Sequence, residues 1–203
     1  MAQFWIADLH FGHEKVAKMR GFESSVKHDV EIFRQIESLR AGDRLWVLGD
    51  ISSGRENDES YALALLGSVQ AELHLIAGNH DSVSSIHRNG FKKQREWLEV
   101  FDSVQQFGQV RFNKEDILMS HFPYARSGDG PGRGEGRYNE FRLPALGHPL
   151  IHGHTHHSEP HMPFRMGEGV DMSQFCVSWD AHRRLVTEKD ILNWREKAND
   201  ESR

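Results

Sequence analysis

Five short apolar runs in this chain each end abruptly in Asp, Asn or His: Phe4 to His10, Leu45 to Asp50, Leu73 to Asp81, Ile117 to His121 and Leu150 to His156. An uninterrupted apolar run has no solvent-facing side, so it reads as a strand covered on both faces. Between the first two runs, Val26, Val30, Phe33, Ile36 and Leu39 recur at helical spacing, with Gly42 as the stop signal. A second helix is expected over Glu59 to Leu66. Strands alternating with helices predict an α/β layered fold, in which ligands bind beyond the carboxyl ends of the strands. The polar residues that close the five runs sit at those ends.

The later half is less regular. Ser103 to Phe112 and Ile117 to His121, separated by Asn113-Lys114-Glu115-Asp116, read as a hairpin, and Phe175 to Trp179 with His182 to Val186 as another. Thr187 followed by Asp190 marks a helix start, and Ile191, Leu192 and Trp194 give that helix an apolar side. A chain of 203 residues is long enough for one domain with a sizeable core. That domain is expected over residues 1–198, with 199–203 as a polar tail. The stretch Ser127 to Arg137 carries too many glycines to build a packed element, and it is rooted beside His121-Phe122-Pro123. It is expected to be a mobile loop, either a lid over substrate or a surface insertion.

A net charge of -5 argues against a surface built to coat nucleic acid, which needs concentrated positive charge, so a stable nucleic-acid complex is not expected. A small nucleotide substrate is compatible with it. No apolar run nears the roughly 18 residues that span a bilayer, so no membrane partner is expected. The opening residues place no basic segment before their apolar run, and the single Cys176 has no internal disulfide partner. Together these lead to the expectation of a cytoplasmic protein in which Cys176 is a small buried side chain.

The chain holds 14 histidines, and their placement matters more than their number. Strand alternation would put Asp8 and His10 on one side, where both can hold the same cation. Alone that pair is weak, and so is Gly49-Asp50. They gain force from Gly78-Asn79-His80-Asp81, Ser120-His121 and Gly153-His154-Thr155-His156, which follow in order. In that order the sequence resembles the calcineurin-like metallophosphoesterases, whose motifs run Asp-x-His, Gly-Asp, Gly-Asn-His-Asp/Glu, a lone His and Gly-His-x-His. The resemblance covers Phe4 to His156 at least. The stretch Asp8 to His13 is similar to the opening of a small single-domain bacterial and phage branch, and Gly169-Val170-Asp171 and the closing hairpin and helix are weaker likenesses to it.

The resemblance implies a four-layer α/β fold, two packed β-sheets flanked by helices on both sides. It implies hydrolysis of a phosphate ester by a metal-bridging hydroxide at two divalent ions. Carried over residue by residue, it assigns Asp8, His10, Asp50 and His156 to one metal and Asp50, Asn79, His121 and His154 to the other, with Asp50 bridging. Mixed carboxylate, imidazole and amide donors suit borderline transition metals: manganese first, with iron, nickel or zinc as alternatives. His80 resembles the family's catalytic histidine, which serves the leaving oxygen. The aspartate that orients this histidine in many relatives has no counterpart in Ile51-Ser52-Ser53-Gly54. Asp81 is expected to fix its loop through backbone amides.

His13, Arg133 and Arg137 are candidate contacts for substrate phosphate, and Arg126 flanks the same glycine-rich stretch. His157 and His161 are expected as exposed residues at the rim and His152 as a side chain turned into the sheet. His28, His74, His87, His148 and His182 read as ordinary surface or core histidines. The expected function is a phosphodiesterase or phosphatase acting on small nucleotides such as 2′,3′-cyclic nucleotides, which relatives accept. The alternatives are a single-strand metallonuclease and a noncatalytic scaffold; retention of all seven expected ligands and His80 speaks against the scaffold.

Overall fold

A computed structural model of the chain describes residues 1–129, 136–161 and 171–201, the last without its side chain. The elements are β1 (Gln3–Ile6), α1 (Glu14–Met19), α2 (Ser25–Glu37), β2 (Arg44–Val47), α3 (Glu56–Leu66), β3 (Glu72–Ile76), α4 (Gln94–Trp97), β4 (Ser103–Gln105), β5 (Phe107–Phe112), β6 (Glu115–Ser120), β7 (Leu150–His152), β8 (Gln174–Cys176), α5 (Trp179–His182), β9 (Val186–Thr187) and α6 (Glu188–Glu201). They build two mixed sheets, ordered β4-β3-β2-β1-β9 and β5-β6-β7-β8. In the first, β9 alone runs antiparallel, against β1. In the second, β5 is antiparallel to β6 and the other pairs are parallel. The expected two-sheet α/β architecture is present.

The burial of alternate residues explains why the strands are continuously apolar. On β1, Trp5 joins a core between the sheets with Leu48, Ile76, Val110, Ile117, Met119 and Ile151. Its neighbour Ile6 points the other way, into a core with Val47 and Leu75 of the sheet, Ile32 and Ile36 of α2, and Ala62 and Leu66 of α3. The central strands β1, β2 and β3 are therefore covered twice, by the other sheet and by helices. The parallel register Phe4 to Leu45 to Leu73 brings the carboxyl ends of β1, β2 and β3 to one edge, which is where the site forms.

Several local expectations need correction. Val26 and Val30 are exposed, and α2 instead buries His28, Asp29, Ile32 and Ile36. Polar residues can occupy that stripe because they are paired: His28 Nδ1 lies 2.7 Å from Asp29 Oδ1, and Arg20 Nη1 lies 2.8 Å from His28 Nε2. The run Ser103 to Phe112 is two strands, β4 in the first sheet and β5 in the second. The second expected hairpin does not form, because α5 intervenes and β8 and β9 belong to different sheets. The first does, through a tight turn at Asn113 and Lys114, both at positive φ as a two-residue hairpin requires.

At the start of α6, Thr187 and Asp190 cap each other: Thr187 N donates to Asp190 Oδ2 at 2.8 Å and Asp190 N to Thr187 Oγ1 at 3.3 Å. The helix continues past Ala198 to Glu201, and its Trp194 stacks on Phe175 with ring centroids 5.1 Å apart. Gly169 and Val170 of the family-like stretch lie outside the described residues. Among the described residues no helix is long and apolar enough to cross a membrane. Trp194 is 2% exposed and its Nε1 donates to Met172 O, so Trp194→Ala should lower the unfolding free energy by about 3–5 kcal/mol in urea titrations followed by circular dichroism.

Candidate metal centre

The functional side chains leave the strands through strained turns. Asp8, His10, Asp50, His154 and His156 have φ of 59°, 50°, 55°, 70° and 50°, in the left-handed region. That region costs roughly 1–3 kcal/mol for a residue with a side chain, although Asp and His tolerate it better than most. This corrects the strand-alternation reading of Asp8 and His10. Strand β1 stops at Ile6, and the two side chains are brought inward by consecutive left-handed turns beyond it. Backbone bonds from Asp8 N to Gly49 O and from His10 N to Asp50 O, both 3.0 Å, lash this loop to the one after β2. Gly49 sits where the loops close in: a Cβ there would come within 2.5 Å of Gly78 N and 2.7 Å of His121 Nδ1.

Two groups of donors converge: Asp8, His10 and His156, and Asp50, His121 and His154, with one donor atom from each residue lying within 4.8 Å of the others in its group. In the first, His10 Nε2 is 3.1 Å from His156 Nε2, which is 3.7 Å from Asp8 Oδ1. In the second, His121 Nε2 is 3.5 Å from Asp50 Oδ2 and 3.3 Å from Asn79 Oδ1. Asp50 Oδ2 is also 3.9 Å from His10 Nε2, so one carboxylate oxygen stands between the groups. All seven expected ligand residues are thus gathered in one place. His80 borders it, with Nε2 3.9 Å from Asp50 Oδ2 and its backbone N donating to Asp50 Oδ1 at 2.8 Å.

Buried carboxylates beside buried imidazoles are what a divalent cation needs, provided the imidazoles are neutral. Burial pushes His10 and His154 below the ordinary imidazole value, which keeps a lone pair available on each ring. Burial also pushes the Asp50 carboxyl up, but His121, His10 and His80 outweigh it and hold the group well below the usual carboxylate range. The remaining ring nitrogens are anchored: His10 Nδ1 by Ser52 O at 3.0 Å, His121 Nδ1 by Leu48 O at 2.7 Å, and His156 Nδ1 by Asp180 Oδ2 at 2.7 Å. Such anchoring fixes both tautomer and ring orientation. The donor set fits a pair of divalent ions.

Three supporting residues escaped the sequence reading. Asp180, in the first turn of α5, holds His156 and accepts from Arg20 Nε at 3.0 Å and Nη2 at 2.6 Å; it fell within the wrongly expected hairpin. The orienting partner of His80 is the carbonyl of Ser53, 3.0 Å from Nδ1, and a backbone oxygen leaves no sequence signature. Asp129 lies 3.1 Å from His154 Nε2. Asp81 does fix its loop, accepting from Gly78 N at 2.7 Å and from Asp50 N and Ile51 N at 3.0 Å. Burial, then the Asp50 charge, push its carboxyl up to about 6.

The candidate substrate contacts are less concentrated. His13 meets His10 edge-on at 5.5 Å between ring centroids and lines a cavity of about 340 Å³ with His10, His80 and His156. Arg137 pairs with Asp129 at 3.1 Å from a side chain 61% exposed, and Arg133 lies outside the described residues. His157 is buried, contrary to the expected rim position, and His152 is buried within β7 as expected.

Two clusters of metal-type donors at the carboxyl edge of a two-sheet α/β fold are the arrangement of a metallophosphoesterase, and residues 4–158 match the model of the calcineurin-like phosphoesterase family. The chain belongs to that family and is a metal-dependent phosphoesterase. It is similar to the gene 66 protein of Mycobacterium phage L5, with 32% identity over 203 residues covering 95% of this chain and 94% of the relative. The gene 66 protein of Mycobacterium phage D29 is likewise 32% identical, covering 93% of this chain and 98% of its own length. A crystal structure of a protein of unknown function from Aquifex aeolicus shares the fold, at a TM-score of 0.64 and 21% identity, covering 95% of this chain and 98% of that one.

The Arg20 side chain is only 2% exposed, and Asp180 is its carboxylate partner. Asp180→Ala leaves that guanidinium buried without its counter-charge and should lower the unfolding free energy by about 3–5 kcal/mol in denaturant titrations.

Proposed function

We propose that this phosphoesterase hydrolyses small nucleotide esters, with 2′,3′-cyclic nucleotides the first substrates to test. In this reading Asp8, His10, Asp50 and His156 hold one divalent ion, and Asp50, Asn79, His121 and His154 hold the other. The observation that carries it is the position of Asp50, whose Oδ2 faces His10 of one donor group and His121 of the other. When bound, the ions supply an activated water and neutralise charge on the phosphoryl group, and their donor set favours manganese, with iron, nickel or zinc as alternatives.

The chain's own groups do the rest. Asn79 contributes a donor without negative charge, so it does not weaken the attraction for a phosphate anion. His80 is partly exposed at the mouth of the site, with Nδ1 fixed on Ser53 O, so Nε2 is the atom through which a proton reaches the leaving oxygen. Cavities flank it on two sides. One, of about 340 Å³, includes His13 and Lys15 beside the Arg20–Asp180 ion pair; the other, of about 540 Å³, includes Asn79, His87, Lys92 and Lys93. These volumes suit a nucleotide-sized molecule, and the cationic walls suit its charge.

Replacing the shared carboxylate in Asp50→Ala should abolish turnover and weaken both metal equivalents, as read by elemental analysis of the dialysed protein. An active variant retaining two equivalents would contradict the assignment. His80→Ala should keep both metals and slow turnover by about 10²–10⁴-fold, with a smaller deficit for esters of good leaving groups. Loss of metal from that variant would make His80 a ligand instead. A panel of cyclic nucleotides, phosphomonoesters, aryl diesters and single-stranded nucleic acid, tried with each metal, tests the substrate class.

A further inference from the structure

His154 stands apart from the other three imidazoles. His10, His121 and His156 are each anchored through Nδ1, leaving Nε2 to face the centre. In His154, Nε2 makes no fully formed hydrogen bond among the described residues, yet it lies 3.1 Å from Asp129 Oδ1. With Nε2 turned to a carboxylate, Nδ1 is the nitrogen left for an ion.

Asp129 is itself held from several directions. It is 2% exposed and pairs with Arg142, whose side chain is fully buried. Arg142 Nη1 donates to Gly128 O at 2.9 Å and Nε to Arg137 O at 3.0 Å. Arg137 N donates to the Asp129 carboxylate at 3.2 and 3.3 Å. The Arg142 guanidinium lies 5.2 Å over the Phe122 ring, which packs 4.8 Å from His154. A buried ion pair of this kind is costly to desolvate and adds little stability over apolar residues of similar size, so stability alone does not account for it. Its fixed carboxylate, 3.1 Å from the outer nitrogen of a metal-site imidazole, stands where the partner that tunes metal-ligating histidines stands.

We propose that Asp129 is a positioning residue, the acceptor for His154 Nε2–H in the metal-loaded enzyme, with Arg142 holding its carboxylate in place. The inference rests on the ligand assignment proposed above. It makes the ion of Asp50, Asn79, His121 and His154 depend on a residue of the glycine-rich stretch that lies outside every family motif.

Two measurements test it. In the zinc-loaded wild type, labelled with ¹⁵N-histidine and assigned with a His154→Gln variant, long-range ¹H–¹⁵N spectra should show His154 protonated at Nε2, and His10, His121 and His156 protonated at Nδ1. In Asp129→Asn, metal titration should show one equivalent bound as in the wild type and the other weakened about 10–100-fold, while the melting temperature in chelator falls because Arg142 keeps its buried charge without a counter-charge. A His154 protonated at Nδ1, both equivalents unchanged in Asp129→Asn, or both weakened together would each overturn the proposal. If Asp129→Asn does not fold, the wild-type spectra decide alone. A wild type that binds fewer than two ions overturns the ligand assignment itself, whereas two ions in the wild type with an unaffected variant overturns only the role of Asp129.

Discussion

The carboxylate of Asp50 is where the architecture and the chemistry meet. Its backbone N is fixed by Asp81, its Oδ1 accepts from His80 N, and its Oδ2 faces His10, His80 and His121. Those partners come from the loops after β1, β3 and β6, so the group cannot be placed until both sheets are assembled. The parallel register of β1, β2 and β3 delivers three of the five loops to one edge, and packing of the second sheet brings His121 and the Gly153–His156 loop against them. The backbone of His154 confirms the closure, donating to Asp8 Oδ2 at 2.9 Å across the interface.

This convergence works against folding. Five side-chain-bearing residues in the left-handed region carry a combined conformational cost on the order of a domain's whole folding free energy. Buried carboxylates and buried imidazoles add desolvation. Dense hydrogen bonding around each turn offsets part of this, as in the three amides gathered by Asp81. Divalent ions that bind the folded chain add their binding free energy to its stability. The preference of the site for cations and the strain in its loops are two aspects of one design, since a relaxed backbone would point the donors apart.

The large features were legible in the sequence for physical reasons. Strands covered on both faces cannot hide their apolar runs, and residues such as Asp8, Asn79 and His121 end those runs abruptly because they face a crevice. What stayed hidden depends on partners or on backbone. Nothing in Asp8-Leu9-His10 announces left-handed turns, because glycine would be the ordinary choice there. The stripe on α2 was misread since His28 and Asp29 satisfy each other when buried, and hydrophobic spacing takes no account of pairs. Asp180 and Asp129 act on histidines 24 and 25 residues away in the chain, without a motif of their own. Ser53 works through its carbonyl, which every residue type possesses.

The central claim is that one carboxylate, Asp50, joins two metal ions into a single centre. Electron paramagnetic resonance on the wild-type protein titrated with manganese tests it most directly. A bridging Asp50 predicts that the isolated-ion spectrum seen at low loading gives way, as the second equivalent binds, to the spectrum of an exchange-coupled pair. Two equivalents bound with only the summed spectra of isolated ions would contradict it.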